Sequence, residues 1–123
     1  MVPNCSKTRG AISVADPEGK IYYCAQRLFK IESQYPSASN FFILHEYGHI
    51  RLQTGDEHEV DCWTSVELSK SRKGKETISS VTNFLKSIKN IDKKYGRSGR
   101  HRAELILGCY TQGKNFLSKW LKN

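Results

Sequence analysis

His45 and His49 stand four residues apart, with Glu46 beside the first, in the run His45-Glu46-Tyr47-Gly48-His49. On a helix, residues i and i+4 lie one turn apart on one face, so two imidazoles can reach a single ion. Glu46 projects beside them, where a carboxylate can hold the water that a metal polarises. The match to H-E-x-x-H is specific: a shuffled chain with the same His and Glu content reproduces it about 1% of the time. The plain alternative is a surface helix with two incidental histidines. The apolar stretch from Phe41 to Ile50 argues against it, because buried His and Glu need partners. Gly48 removes a side chain where a neighbouring element can come close.

Two histidines do not complete a tetrahedral zinc site, so a third ligand must come from elsewhere. The metzincin extension would need Gly and His where Leu52 and Gly55 stand, which excludes that class. Eight residues after His49 comes Glu57-His58-Glu59-Val60-Asp61-Cys62-Trp63. The pair H-E-x-[GA]-H and E-x-E-[AV]-D on the next helix resembles the pattern of gluzincin peptidases. It is most similar to the CAAX prenyl-endopeptidase-like family and its small soluble bacterial relatives. The resemblance spans roughly residues 20–110, with its specificity in residues 45–63. It implies that Glu57 is the third zinc ligand and that Asp61 orients His45 or His49. Glu57 and Asp61 are i and i+4 on one face, and a ligand imidazole usually donates its other N–H to such a carboxylate.

Other assignments stay open at this point. Thr54-x-x-Glu57 is also a capping box, in which Glu57 would bond back to the Thr54 backbone. Glu59 lies about 200° around the helix from Glu57, so at most one of the two can serve. Asp56, His58 and Asp61 are further candidates. A weaker resemblance covers Ser98-Gly99-Arg100-His101-Arg102-Ala103, where Arg102 matches an Arg that opens a helix behind the site in relatives. Their His-Pro is here Gly96-Arg97, a departure from the pattern. Arg102 or His101 could stabilise a developing oxyanion, and a helix-start Arg in a surface pair is an equal alternative.

The implied activity is that of a zinc metalloendopeptidase. His45, His49 and Glu57 would hold Zn²⁺, and Glu46 would take a proton from water and pass it to the leaving amine. A peptide substrate could add a strand along the edge of an N-terminal hairpin, with Tyr22 or Tyr23 lining the cleft. The short connection from His49 to Glu57 suggests an open cleft. One rival is a zinc-binding interaction domain without cleavage. Another is a basic module for nucleic acid or an envelope polymer.

The elements that must position these residues are read from pattern. Residues 11–24 form a β-hairpin around the turn Asp16-Pro17-Glu18-Gly19. Residues 27–32 are either a short helix or a third strand. A helix capped by Ser37 or Ser39 runs to about Gln53, with Phe41, Leu44, Gly48 and Leu52 inward. A second helix covers roughly 56–70, with Val60, Trp63 and Val66 or Glu67 inward. Ser69 to Lys75 reads as a basic loop. A third helix carries Ile78, Val81, Phe84/Leu85, Ile88 and Ile91 as one apolar stripe. Gly96 to Gly99 is a turn, and a fourth helix starts near Arg100. A separate terminal helix from Asn115 to Leu121 packs Phe116, Leu117, Trp120 and Leu121. The fold class is α+β: a small antiparallel sheet, then a helical bundle carrying the His45–His49 helix.

With 123 residues the chain is one domain, residues 1–123. Its 37% apolar and 26% charged residues describe a soluble globular protein without a transmembrane run. Met1 to Lys7 is not followed by the apolar core of a signal peptide. The +8 net charge is uneven: residues 1–69 hold six Lys/Arg against nine Asp/Glu, and residues 70–123 fourteen against three. A basic half can serve as a nucleic-acid platform, but solvated helix faces bearing Lys86, Lys89 and Lys93 are the better reading. Cys5, Cys24, Cys62 and Cys109 form an even set without a C-x-x-C pair. Two bridges suit a secreted or periplasmic domain, and four thiols would suit a cytoplasmic one. Cys109 lies two turns after Arg102, so a Cys62–Cys109 bridge would tie the Glu57 helix to the Arg102 helix. Cys5–Cys24 would then pin the N-terminal arm to the hairpin.

Overall fold

The structure is a computed structural model that describes residues 1–88 and 98–122, with side chains as far as residue 116. It is α+β. β1 (Val2–Pro3), α1 (Cys5–Thr8), β2 (Ser13–Ala15) and β3 (Ile21–Tyr23) come first. α2 (Ala25–Gln34), α3 (Ala38–Leu52), α4 (Glu57–Ser69), α5 (Arg72–Ser87) and α6 (Gly99–Lys122) follow.

β2 and β3 are the expected hairpin, antiparallel with Val14 opposite Tyr22. Its turn closes through the Asp16 N–H on the Lys20 carbonyl at 2.8 Å, and Gly19 supplies the φ of 92° that other residues resist. The sheet is not wholly antiparallel, as expected, but mixed. β1 lies parallel to β3, giving the order β1-β3-β2. A two-residue strand ending in Pro has no period to read, and α1 and β2 provide the crossover that parallel pairing needs. The Cys5–Cys24 disulfide closes this arm.

Residues 27–32 resolve as helix, within α2. Its end at Tyr35 precedes Pro36, which disfavours helical backbone before it. The start of α3 departs from expectation. Ser37 is the cap residue but sits at φ 75° and its side chain makes no capping bond. Glu32 of α2 does the capping instead. It accepts from the Ser37 N–H at 2.7 Å, from the Ser39 N–H at 3.3 Å and from the Ser39 hydroxyl. Those bonds, the Ser39 hydroxyl first, hold its carboxyl below the usual glutamate range.

α3 buries Phe41, Phe42, His45, Glu46 and Gly48, while Leu44 and Leu52 are only half-buried. A Cβ on Gly48 would lie 2.8 Å from the Trp63 ring and 2.9 Å from Val60, so glycine sets the approach of α3 to α4. α4 buries Val60, Asp61, Thr64, Ser65 and Ser69. The expected inner residues Trp63, Val66 and Glu67 are half-buried, and Trp63 instead lies beside the exposed Tyr47 ring. Small side chains are inward because α6 comes close there: a Cβ on Gly113 would lie 2.4 Å from Ser69 Oγ.

The expected basic loop at 69–75 shrinks to Lys70–Ser71. Ser71 caps α5 by accepting the Gly74 N–H at 3.2 Å. Ile78, Val81 and Leu85 are buried as the stripe requires, while Ile88 is exposed just past the helix end. Ile91, Lys89, Lys93 and the Gly96-Arg97 turn lie outside the described residues. The two expected C-terminal helices are one continuous α6, and Phe116 is 61% exposed rather than packed. The side chains of Leu117, Trp120 and Leu121 are outside the description. Ile31, Phe41, Phe42, Val81, Leu85 and Ile106 belong to one core cluster. Cys62–Cys109 bonds α4 to α6. No helix among the described residues is long and apolar enough to cross a bilayer.

Candidate metal centre

α3 and α4 meet where Gly48 lets them, and their polar side chains converge at that crossing. His45 Nε2 and His49 Nε2 are 3.1 Å apart. Glu57 joins them, with Oε2 3.2 Å from His45 Nε2 and Oε1 2.8 Å from His49 Nε2. These three residues can each offer one ligand atom, all within 4.8 Å of one another. Glu57 reaches this point because the capping box does not form. Asp56 caps α4 instead, accepting from the His58 and Glu59 N–H groups at 3.0 Å each. Glu59 is exposed and turns to the Thr54 hydroxyl at 3.4 Å.

Behind the cluster, His45 Nδ1 lies at ion-pair distance, 2.8 Å, from Asp61 Oδ1, and His49 Nδ1 lies 2.8 Å from the Thr54 carbonyl oxygen. Each ring therefore has an oxygen acceptor beside both nitrogens. The two Nε2 atoms face each other across 3.1 Å with the Glu57 carboxylate alongside. Such a donor set calls for positive charge between its members.

Asp61 is itself clamped by Arg102, whose Nε donates to Oδ2 at 2.8 Å and Nη2 to Oδ1 at 3.0 Å. Asp61 is 2% and Arg102 7% exposed, so the pair sits in the interior. Burial alone would raise the Asp61 pKa, but the bonds to His45 and Arg102 hold it below the usual range. Burial alone would lower that of His45, and Asp61 and then Glu57 outweigh it, moving the imidazole above its ordinary value. Arg102 therefore stands behind Asp61, which faces His45 Nδ1, and its pair is interior rather than at the surface. His101 is exposed one position away and lines neither of the clefts beside the cluster.

Glu46 is 5% exposed and has Oε1 4.0 Å from His49 Nε2. Ser13 of β2 donates its hydroxyl to Glu46 Oε2 at 3.1 Å. Ser13 escaped the sequence reading, and its one signal was a polar residue at an inward position of the hairpin. The Thr54 carbonyl, a main-chain group, had no signal at all. Two clefts flank Glu46: one of about 540 Å³ toward residues 10–13, the other of about 840 Å³ toward residues 14–19. Tyr22 and Tyr23 line neither, and Tyr22 lies under Lys7, whose Nζ is 5.6 Å from the ring centroid. Comparison with family models, curated proteins and solved structures gave no match to this chain.

Proposed function

We propose that the protein is a zinc metallopeptidase, with His45, His49 and Glu57 holding Zn²⁺ and Glu46 as general base. One observation carries this reading: His45, His49 and Glu57 each bring a ligand atom to one point, all within 4.8 Å of one another. The spacing fits the ion. Ligands at zinc's usual bond lengths stand about 3.3 Å apart in a tetrahedron; the two Nε2 atoms are 3.1 Å apart, and the Glu57 oxygens lie 2.8 Å (Oε1) from His49 and 3.2 Å (Oε2) from His45. Zinc supplies a Lewis acid that polarises a carbonyl and acidifies a water.

The protein's own groups do the rest. Ser13 holds Glu46 at Oε2 and leaves Oε1 toward His49, where it can take a proton from water and return it to the departing amine. Arg102 keeps Asp61 ionised and aligned, and Asp61 stands 2.8 Å from His45 Nδ1, where it can orient the ring. β2 is an outer strand of the sheet, so its outer edge can take an extended peptide past Glu46. Two disulfides favour an oxidising, exported setting, secreted or periplasmic.

Metal analysis and peptide hydrolysis test this together. We expect one zinc per chain, and hydrolysis abolished by chelation. Glu46→Gln should retain zinc and lower kcat at least about a hundredfold, the lower end for loss of a general base. Zinc bound at one per chain with no peptide cleaved would instead make this a zinc-binding interaction domain. No zinc bound would end both readings.

A further inference from the structure

The two clefts beside Glu46 carry opposite charge. The cleft toward residues 10–13 is walled by Phe42 and Phe84, and α2 places Arg27 and Lys30 along it. Arg27 is fixed there by Nη1, which donates to the Ala11 carbonyl at 3.2 Å and to the Thr8 hydroxyl at 3.3 Å. Lys30, one turn on, is exposed. Among the described residues, the remaining charged groups on this side are Arg102, on Asp61, and the site residues His45 and Glu46. The cleft toward residues 14–19 is lined by Asp16 and Glu18 of the hairpin turn, together with His49, Glu57 and the same Glu46. Among the described residues, its lining contains no lysine or arginine. β2 runs alongside both, with Ser13 in the first lining and Val14 and Ala15 in the second.

We infer that these clefts are one groove that reads an extended peptide by side-chain charge. The 10–13 side takes a bulky apolar side chain with a carboxylate next to it, and the 14–19 side takes a lysine or arginine. An aromatic wall buries the apolar residue, and a cationic rim beside it attracts an anion while repelling a cation. Asp16 and Glu18 do the converse at the other end. The carboxylate can be an acidic side chain or the peptide's own C-terminus, since Lys30 offers a point charge to either. The inference names the substrate class for the proposed peptidase and rests on that reading for events at Glu46. The charge order of the groove belongs to other residues.

Full-length, zinc-loaded Glu46→Gln protein can be titrated with fluorescein-labelled peptides and followed by anisotropy. The parent peptide carries a Lys, a short spacer and a Phe-Glu pair, with its C-terminus amidated. A second has Lys in place of that Glu, and a third ends on Phe as a free carboxylate. We expect the second to bind about tenfold more weakly than the parent, as a rim pair turned to repulsion would give. Lys30→Glu in the Glu46→Gln protein should invert that preference, and Glu18→Lys should weaken all three peptides, since each carries the Lys. Parent and third binding alike means that either carboxylate serves, and the parent alone means an acidic side chain. Equal binding of parent and second, a preference unmoved by Lys30→Glu, or affinities unmoved by Glu18→Lys, overturns the inference. Cleavage by the wild-type protein is read separately. Peptides bound in charge order but never cut sink the peptidase and leave the groove, whereas cutting without charge order sinks the groove alone.

Discussion

α4 and α5 pack against the same two helices, α3 and α6, and they bury opposite chemistries. α5 turns Ile78, Val81 and Leu85 inward, a stripe that removes apolar area from water. α4 turns Asp61, Thr64, Ser65 and Ser69 inward with one large apolar residue, Val60. Its hydroxyls bond back to their own helix: Thr64 to the Val60 carbonyl and Ser65 to the Asp61 carbonyl, both at 2.7 Å. They thus need nothing from α6 and let its backbone approach. The contrast separates two tasks. α5 stabilises by area, whereas α4 is shaped to bring Asp61 under His45 and relies on the Asp61–Arg102 pair and on Cys62–Cys109 to stay in place.

The largest effect should come from the pair itself. Arg102→Met keeps most of the volume and leaves Asp61 buried beside His45 without its guanidinium. Breaking a buried pair from one side costs about 3–5 kcal/mol, far more than a surface arginine would. Urea unfolding of the oxidised protein measures it. A loss below about 1 kcal/mol would mean that Asp61 is held by His45 alone.

The Cys62–Cys109 bridge comes next. Replacing both by Ala should cost about 2–4 kcal/mol, since the bridge closes a loop of more than a third of the chain. The same exchange at Cys5 and Cys24 should cost less, because that loop is shorter. Calorimetry on the two double variants gives the order. The reverse order would show that the N-terminal arm, not α4, is the weaker attachment.

Truncation compares the two helix faces directly. Leu85→Ala should cost about 2–3 kcal/mol through a cavity in the core cluster. Ser65→Ala should cost under about 1 kcal/mol, because the hydroxyl answers only its own helix and leaves no partner stranded. Equal losses would remove the distinction between area and positioning.

How much of this was legible follows from sequence distance. His45, Glu46 and His49 declare themselves because their geometry is set within one helical turn. Glu57 and Asp61 came from a resemblance, and Asp56 as the cap of α4 is what leaves Glu57 to the histidines. Arg102 and Cys109 were marked by position. Cys109 found its expected partner, whereas that of Arg102 went unread, because no local pattern tells a residue which carboxylate 41 positions away it will meet. The same limit hid Ser13 on Glu46, 33 positions apart. α6 read as two helices, and Gly113, which lies between them, is required by Ser69 across the interface. β1 was invisible because two residues have no period.

The smallest effect concerns the other structural carboxylate, Glu32, and sets a half-buried cap against the buried Asp61. Glu32 accepts from the Ser39 hydroxyl and from the N–H groups of Ser37 and Ser39, so its ionised form is favoured in the folded state. A folded pKa below the unfolded one means that the contribution is present above the unfolded value. It is lost as pH falls through the folded value. Glu32→Gln should therefore lower stability by about 0.5–1 kcal/mol near neutral pH, the size of a helix cap. The difference from wild type should shrink as pH falls below the usual glutamate range and vanish once the carboxyl is protonated in the folded state as well. Urea midpoints of the two proteins at several pH values between these limits measure the gap. Its persistence at the acid end would show that Glu32 caps α3 by its shape and not by its charge. The ionised carboxylate would then matter in this fold only where it is buried, at Asp61.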